Sequence, residues 1–286
     1  MLKNLVKKIR DKTRSILVGN KFGLFILKLL NSIFKYFDRI SFFYYESKLV
    51  NPPVVQSGIF KNLRYPKIYS YMSVIFPKLM GIYEKQLHKP ISEFKKNNYD
   101  TIINIGAAEG YYAVGMALCF PQTKVAAIDI NIDALNFLKK MSILNNTQDR
   151  VKIINGDAKI YLEKIDPNQS YLVICDCERC EFDIFSEKSI ENLKKSDLII
   201  EMHYRFGDKD IEKMSPPEYS KFIEDKNSFL ERFKKYHDHE IVKPLFTRLE
   251  DIKGLENIPI KYAKKLANEV RAKNAEWLIF KSKYKN

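Results

Sequence analysis

The sequence has few cysteines and no long apolar runs, and each shortage excludes a class of protein. Four cysteines in 286 residues are too few for a disulfide scaffold. No window approaches the ~18 consecutive apolar residues that a transmembrane helix requires. The chain does not open with a secretory signal pattern, so we expect a reducing, cytoplasmic environment. With 45% apolar residues and abundant aromatic side chains, a disordered chain is excluded as well.

Positive charge is concentrated in the N-terminal part of the chain. Residues 1–90 hold 17 Lys/Arg and 4 Asp/Glu, whereas residues 91–286 hold 32 and 31. Apolar residues recur at helical spacing among the cations of residues 1–48, which predicts basic amphipathic helices. We therefore divide the chain into a basic helical N-terminal extension or lid, 1–90, and a main domain, 91–286. The extension either packs as a cap or contacts the inner surface of a membrane as a peripheral element.

From residue 99 onward, short apolar runs alternate with helical patterns. Short runs bounded by turn residues are typical of strands buried on both faces of a parallel sheet. Five runs are predicted as strands, over 101–105, 124–129, 151–155, 171–175 and 197–202. The intervening segments 111–119, 132–144, 158–165 and 181–194 are predicted as helices.

Two later apolar segments complete the predicted sheet. Residues 241–246 and 277–281 are expected to form an antiparallel closing pair, joined by a helical insertion over 258–273. Alternation of strands and helices favours an α/β fold with a parallel sheet covered by helices. The sequence therefore predicts a doubly wound, mostly parallel seven-stranded sheet with a helical N-terminal extension.

A loop of small residues follows the first predicted strand and precedes a helix, with the sequence Gly106-Ala107-Ala108-Glu109-Gly110. In a doubly wound sheet, ligands bind at the carboxyl ends of the strands, where this loop lies. Free N–H groups at the start of the following helix suit the carboxylate of an amino acid. Ala108 replaces the middle glycine of the dinucleotide fingerprint, which argues against a nicotinamide cofactor.

Two acids follow the next two predicted strands. Asp129 ends the second strand, where an acid can accept both ribose hydroxyls of an adenosine. Asp157 follows the third strand, where a carboxylate can accept a hydrogen bond from the adenine amine. Together with the glycine loop, these acids predict a single adenosine-binding crevice along the strand ends.

Residues 101–202 resemble the core of the class I S-adenosylmethionine-dependent methyltransferases. After the fourth strand, the segment 176–181 has the sequence Asp-Cys-Glu-Arg-Cys-Glu and is similar to the FkbM-type signature Asp-x-Glu-Gly-x-Glu. The resemblance implies a Rossmann-like methyltransferase fold and O-methylation of a sugar or another hydroxylated small molecule. Two residues depart from the pattern: Asn104 stands where many relatives carry an acid, and Arg179 replaces the glycine, which predicts a different loop path.

The resemblance also implies which residues bind S-adenosylmethionine. Asp129 would bind the ribose, Asp157 the adenine, and Asp176 would lie beside the transferred methyl group. Tyr83 and Glu84, which precede the core, lie where related enzymes often have a lid. The full set of expected cofactor-binding residues is Asn104, Gly106, Ala107, Ala108, Glu109, Gly110, Asp129, Asn131, Asp157, Ala158 and Asp176.

Methylation of an alcohol is helped by a base that removes the hydroxyl proton. The candidates are Asp176 and Glu178 after the fourth strand and Glu201 and His203 after the fifth. Residues two apart on a strand point to the same side, so the last two are expected to converge. Asp176, Glu178 and His203 could instead ligate a divalent metal ion, although we expect no metal. The cluster of Cys175, Cys177 and Cys180 is similar to half a zinc site, but no second ligand pair follows it.

The expected acceptor is a small molecule or a glycan. Methylation of bases in DNA usually requires a [DNS]-P-P-[YF] loop after the fourth strand, and Asp176-Cys177-Glu178 occupies that place. The nearly balanced charge of residues 91–286 also argues against a nucleic-acid substrate. Two alternatives remain open: an RNA methyltransferase that uses the basic N-terminal arm as a clamp, and a non-catalytic membrane-associated factor that retains the fold.

Overall fold

A computed structural model describes residues 21–49, 52–203, 214–245, 247–252, 254–269 and 275–284. The chain separates into two compact units. The described part of the smaller unit consists of residues 21–49 and 254–266. The larger unit spans 52–253 and 267–286, so residues 52–90 belong with the main domain rather than with the basic helix. Of the amphipathic helices predicted within residues 1–48, the part before residue 21 lies outside the described residues.

The described helices and strands follow one another along the chain with mostly short connections. The helices are α1 (Lys21–Leu49), α2 (Ile75–Met80), α3 (His88–Phe94), α4 (Tyr111–Cys119), α5 (Ile132–Leu144), α6 (Ala158–Leu162), α7 (Glu181–Ile184), α8 (Glu187–Asn192), α9 (Pro216–Phe233) and α10 (Ile260–Leu266). The strands are β1 (Thr101–Ile105), β2 (Lys124–Asp129), β3 (Val151–Asn155), β4 (Tyr171–Cys175), β5 (Asp197–Glu201), β6 (His237–Val242) and β7 (Trp277–Ser282). Short 3-10 helices cover Lys85–Leu87 and Leu249–Asp251.

The seven strands form one sheet in the order β3-β2-β1-β4-β5-β7-β6. The first five run parallel, and β7 pairs antiparallel with both β5 and β6. The predicted mostly parallel sheet with an antiparallel closing pair is confirmed. Because the strand order reverses direction between β1 and β4, a crevice opens at the carboxyl ends of these strands.

The central strands form because their side chains are buried on both faces. All five residues of β4 and all five of β5 are buried. A layer of phenylalanines packs against the sheet, and the Phe233 and Phe280 rings stack with centroids 4.1 Å apart. Burial of these side chains, at about 25 cal/mol per Å² of apolar surface, is the main force that holds the site's framework together.

Some elements differ from the sequence prediction. The helix expected over 181–194 is broken at Phe185, and the Ser186 side chain caps a new helix, α8. The strand expected over 241–246 begins earlier, because the polar residues 237–240 belong to β6. Residues 52–97 contain only the short helices α2 and α3 and the 3-10 turn between them. No helix in the described residues is both long enough and apolar enough to cross a bilayer.

Candidate active site

The loop after β1 lies close against the end of β4. Gly106 has a φ of 70°, and a Cβ at this position would lie 1.7 Å from the backbone oxygen of Asp176. The backbone amides of Gly106 and Ala107 both donate to the Ile128 carbonyl, at 3.0 and 3.1 Å. Only glycine allows this approach, so the loop, the end of β2 and the end of β4 converge at one place.

Asp129, at the end of β2, is held by backbone donors on both of its oxygens. Oδ2 accepts a hydrogen bond from the Ala108 amide, and Oδ1 accepts one from the Asn131 amide, each at 2.8 Å. Ala108 adopts a left-handed φ of 44°, which turns its amide toward the acid. The carboxylate is thus fixed against the glycine loop, where the sequence predicts the ribose of the cofactor.

Asp157 lies at the next strand end, beside Asp129. β2 and β3 pair so that Asp129 is opposite Asn155, and the Gly156 amide donates to the Asp129 carbonyl at 3.3 Å. Oδ1 of Asp157 caps α6 by accepting from the Lys159 amide at 2.7 Å. The two acids therefore lie on the same edge of the sheet, as a shared adenosine site requires.

Two predicted cofactor residues have structural contacts that account for them. Asn131 caps α5, and its Oδ1 accepts from the amides of Asp133 and Ala134. Ala158 is buried in the hydrophobic core below α6. Neither side chain shows a separate feature that points to the cofactor.

Glu109, which the resemblance placed among the cofactor-binding residues, is bonded to other groups of the protein. It is fully buried, and its Oε1 lies 2.6 Å from the Lys78 ammonium. The same carboxylate accepts from the Ser70 hydroxyl at 2.7 Å and from the Tyr71 amide at 3.2 Å. A buried carboxylate needs a charged partner, and Lys78 supplies it. Through its bonds to Ser70 and Tyr71, Glu109 also holds the segment before α2 against the glycine loop.

Asn104 is buried in β1, and its contacts are incomplete. Its Nδ2 donates weakly to the Ile174 carbonyl, at 3.4 Å. Its Oδ1 has no hydrogen-bond partner among the described residues. A buried acceptor without a partner is uncommon, and it leaves Asn104 able to accept from a group bound at the loop.

Three carboxylates from distant parts of the chain meet at the ends of β4 and β5. Glu84, Asp176 and Glu201 each offer an oxygen within 4.8 Å of the others. We refer to these three residues as the acid cluster. Two of them were predicted, but the sequence indicated only a lid at Glu84. Glu84 lies after the end of α2, and its backbone has a left-handed φ of 48°. The Tyr112 hydroxyl donates a hydrogen bond to the Glu84 carboxylate.

The acid cluster cannot hold three full negative charges in a buried setting. Burial, together with the other carboxylates, raises the pKa of Glu84 and of Glu201 well above the ordinary value. Burial raises the pKa of Asp176 from 3.8 to about 6, even though His203 acts in the opposite direction. Protons are therefore shared within the cluster near neutral pH.

His203 connects the acid cluster to the loop after β4. Its Nδ1 lies 2.7 Å from Oε1 of buried Glu181, while its Nε2 lies 3.7 Å from both Asp176 and Glu178. Burial alone would lower the pKa of His203, but the hydrogen bond to Glu181 and the neighbouring carboxylates raise it. His203 therefore lies close to Asp176 and Glu178, the two candidate residues that follow β4.

The loop after β4 keeps a path that glycine normally follows. Glu178 and Arg179 have φ values of 53° and 88°, both in the left-handed region. Arg179 therefore adopts a backbone conformation that is costly for a residue with a side chain. A disulfide between Cys177 and Cys180 closes the loop, while Cys175 is free and buried, so these cysteines do not form half a zinc site.

The carboxylates also satisfy the chemistry of a cation site. Asp176, Glu178 and His203 offer donor atoms within 4.8 Å of one another, as do the three residues of the acid cluster. Oδ1 of Asp176 is buried and lacks a hydrogen-bond partner among the described residues. Oxygen-rich donor sets of this kind fit a hard divalent cation such as Mg²⁺.

A cavity of about 1000 Å³ is lined by residues of α3, α9 and β6, and none of the three acid-cluster residues lines it. Two of its lining residues are linked to the cluster along the chain or by a backbone hydrogen bond: Lys85 follows Glu84, and the Glu276 carbonyl accepts from the amide of Met202, which follows Glu201. Its wall combines aromatic rings with charged side chains, among them Lys85, Lys89, Tyr219, Phe222, Lys226 and Glu276. This volume is sufficient for a ligand of sugar or small-cofactor size.

Residues 93–212 match the model of a family described as O-methyltransferase. Among curated proteins, the ribosomal RNA small subunit methyltransferase G of Bacillus licheniformis is 27% identical over 125 residues, which are 42% of this chain and 49% of that protein. The release factor glutamine methyltransferase of Rhodopirellula baltica is 34% identical over 76 residues, 26% of this chain and 24% of that protein. The chain thus spans half or less of the length of these relatives.

Among solved structures, an O-methyltransferase from Bacillus cereus, in complex with S-adenosylhomocysteine, is 14% identical. That likeness covers 67% of this chain and 77% of the other, with a TM-score of 0.43. A SAM-dependent methyltransferase from Aquifex aeolicus is 15% identical, covering 72% of this chain and 96% of the other, with a TM-score of 0.41. The strand order, rather than these scores, identifies the fold.

Proposed function

We propose that this chain, which carries a class I S-adenosylmethionine-dependent methyltransferase domain, methylates a hydroxyl oxygen of a sugar or another hydroxylated small molecule. The proposal depends on one observation above all. The end of β4 touches the glycine loop at Gly106, and the same strand end presents Asp176 to the acid cluster. A cofactor seated on the loop would therefore have its methyl group beside a carboxyl group that can accept a proton.

Different residues of the chain would bind different parts of the cofactor. Asp129 would accept from the ribose hydroxyls, and Asp157 would accept from the adenine amine. Asn104 would use its unpartnered Oδ1 to accept from the cofactor's amino group. Glu109 has no direct part in this assignment, because Lys78 neutralises it in the protein interior.

Methyl transfer is an in-line displacement, so the enzyme mainly supplies position and charge. The acceptor oxygen forms a bond to the methyl carbon as the carbon–sulfur bond breaks, and S-adenosylhomocysteine leaves without a charge on sulfur. The hydroxyl proton passes to Asp176, while His203, held by Glu181, stabilises the carboxylate that receives it. The cavity lined by α3, α9 and β6 supplies aromatic faces and polar side chains, a combination suited to a polyhydroxylated acceptor.

The resemblance of residues 176–181 to the FkbM-type signature supports a sugar acceptor. The matched family model is broader and supports O-methylation without naming the acceptor. RNA is the competing acceptor, because one relative is a ribosomal RNA methyltransferase and residues 1–90 are strongly basic. The nearly neutral charge of residues 91–286 favours the small molecule.

The donor set around Asp176 also fits a divalent cation. Asp176, Glu178 and His203 would hold it, and when bound it would draw an acceptor hydroxyl toward the methyl group and make that hydroxyl more acidic. Dialysis against EDTA followed by Mg²⁺ addition separates the two arrangements. Loss and recovery of activity would assign these residues to a cation, and unchanged activity would leave proton transfer to Asp176 alone.

The central experiment is calorimetric titration of the full chain with S-adenosylmethionine, followed by transfer assays with a radiolabelled methyl group. We expect saturable binding and labelling of nucleotide sugars or free sugars rather than RNA. Asp176→Asn should lower kcat by about 10²–10⁴-fold, the usual contribution of a general base, with little change in cofactor affinity. Absence of cofactor binding would refute the proposed function, and labelling of RNA alone would replace its acceptor.

A further inference from the structure

We propose that α1 carries a docking face for an anionic membrane surface, separate from methyl transfer. The face is a stripe of large apolar side chains that are between 37% and 67% exposed. At ~100° per residue, their spacing places them all within roughly a third of the helix circumference. The residues of this docking face are Leu29, Ile33, Tyr36, Phe37, Ile40, Phe43 and Tyr44.

The other side of α1 is already used within its own unit. Asp38 accepts from the Tyr262 hydroxyl at 2.7 Å and pairs with Lys261 at 2.8 Å. The rings of Phe42 and Tyr45 pack on Tyr262, with centroids 6.1 and 5.4 Å away. α10 therefore covers the face opposite the stripe, and the described residues of the unit leave the stripe open to solvent.

A row of cations borders the docking face. Lys28, Lys35 and Arg39 are seven and four residues apart, which aligns them along one edge of the stripe. The last two also line a cavity of about 310 Å³, together with Phe42, Lys261 and Lys265. Among the described residues, Lys35, Arg39 and Lys265 have no carboxylate partner, so the cavity keeps a surplus of positive charge that suits a phosphate group.

The apolar stripe and the cations beside it together indicate which kind of partner α1 binds. An amphipathic helix with basic residues beside a wide apolar stripe lies in the plane of a bilayer interface, with its apolar face ~5–10 Å deep. Lysine and arginine at the stripe's edge can extend to the phosphates while their stems stay in the apolar layer. RNA would use the cations and some rings but gain little from Leu29, Ile33 and Ile40. We therefore assign the face to a bilayer that contains anionic phospholipid.

The test is cosedimentation of the full chain with vesicles of phosphatidylcholine alone and vesicles that also contain phosphatidylserine. We expect binding to the anionic vesicles, with weak binding to the neutral ones. The double variant Lys35→Glu/Arg39→Glu should lower that binding by more than about 20-fold, since each basic residue contributes roughly fivefold near such a surface. Tyr36→Ser/Phe43→Ser should lower binding to both vesicle types.

Matched control variants carry the same kinds of charge reversal and apolar-to-serine change at exposed positions of a helix in the larger unit. Lys139→Glu and Ile143→Ser on α5 should leave vesicle binding unchanged. Circular dichroism of each variant verifies that α1 is retained. The proposal is overturned if the full chain ignores both vesicle types, if the controls weaken binding as much as the variants do, or if the charge variants reduce only RNA binding.

Discussion

The carboxylates on the two halves of the sheet's carboxyl edge are held in opposite ways. On the β2–β3 half, Asp129 and Asp157 accept hydrogen bonds from backbone amides. On the β4–β5 half, Asp176 and Glu201 lie among other acids, and burial raises the pKa of each. Backbone donors fix the position of Asp129 and Asp157, whereas burial beside like charges stabilises the protonated forms of Asp176 and Glu201. One half is therefore suited to binding neutral hydroxyl and amine donors, and the other to exchanging protons.

Glu109 provides a third arrangement and the largest expected change in stability. The substitution Glu109→Gln leaves the buried Lys78 ammonium without its ion-pair partner, and the side chains of Glu109 and Lys78 are only 0% and 5% exposed. We expect a loss of about 3–5 kcal/mol in the free energy of unfolding, measured by urea denaturation. Glu93→Gln, which affects the exposed Lys89–Glu93 pair, is the control and should change little. A small loss in Glu109→Gln would show that water reaches Lys78.

On the binding half, Asp129→Ala removes the acceptor of two backbone amides and of the expected ribose hydroxyls. Affinity for S-adenosylmethionine should fall by about 5–150-fold, equivalent to ~1–3 kcal/mol for a lost charged hydrogen bond. Calorimetry measures this change, and Asp133→Ala, which alters an exposed acid on the adjacent helix α5, is the control. Equal affinity of Asp129→Ala and the parent would remove Asp129 from the cofactor site.

On the proton-exchanging half, Asp176 should make stability depend on pH. Because its pKa is raised from 3.8 to about 6, the folded protein retains a proton that the unfolded chain releases between these values. Its contribution is therefore most favourable below the unfolded pKa and is lost as pH rises through the folded pKa. Asp176→Asn cannot lose a proton and should be more stable than the parent at pH 7, by on the order of 1–3 kcal/mol.

Urea denaturation of the parent and of Asp176→Asn at pH 4 and pH 7 measures this difference. The stability gain should shrink toward zero at the lower pH. A gain that is the same at both pH values would mean that folding does not raise the pKa of Asp176 and that the two halves of the edge do not differ as described.

The smallest expected effect concerns Arg179, in the loop after β4. Arg179 has a φ of 88°, which glycine adopts without strain. Arg179→Gly should therefore stabilise the protein by about 1 kcal/mol, visible as a small rise in Tm. Glu187→Gly in the first turn of α8, where the backbone is helical, should have the opposite effect. Destabilisation by Arg179→Gly would show that the arginine side chain contributes a contact that exceeds the strain.

The sheet could be predicted closely because its strands are short apolar runs bounded by turn residues. β1 to β4 begin and end where expected. β6 was placed several residues too late, because it lies at the sheet's edge with exposed polar side chains such as His239 and Glu240. Pairing with β7 rather than an apolar pattern makes these residues a strand.

The candidate site could be predicted only where its residues follow strands. Asp129, Asp157, Asp176 and Glu201 lie at strand ends, so the topology brings them to one edge. Glu84 precedes the sheet and lies far from Asp176 in sequence, and nothing in its surroundings indicates an acid cluster. The ion pair of Glu109 could not be predicted either, because its partner, Lys78, is distant along the chain as well.

The sequence by itself determined the α/β alternation, the glycine loop and the acids at its strand ends, because apolar periodicity and small residues act locally. Only the tertiary structure decided which acids share protons, which are neutralised and which accept backbone amides. That outcome depends on burial and on partners distant in the chain, since a carboxyl group takes its charge state from its three-dimensional surroundings rather than from its sequence neighbours.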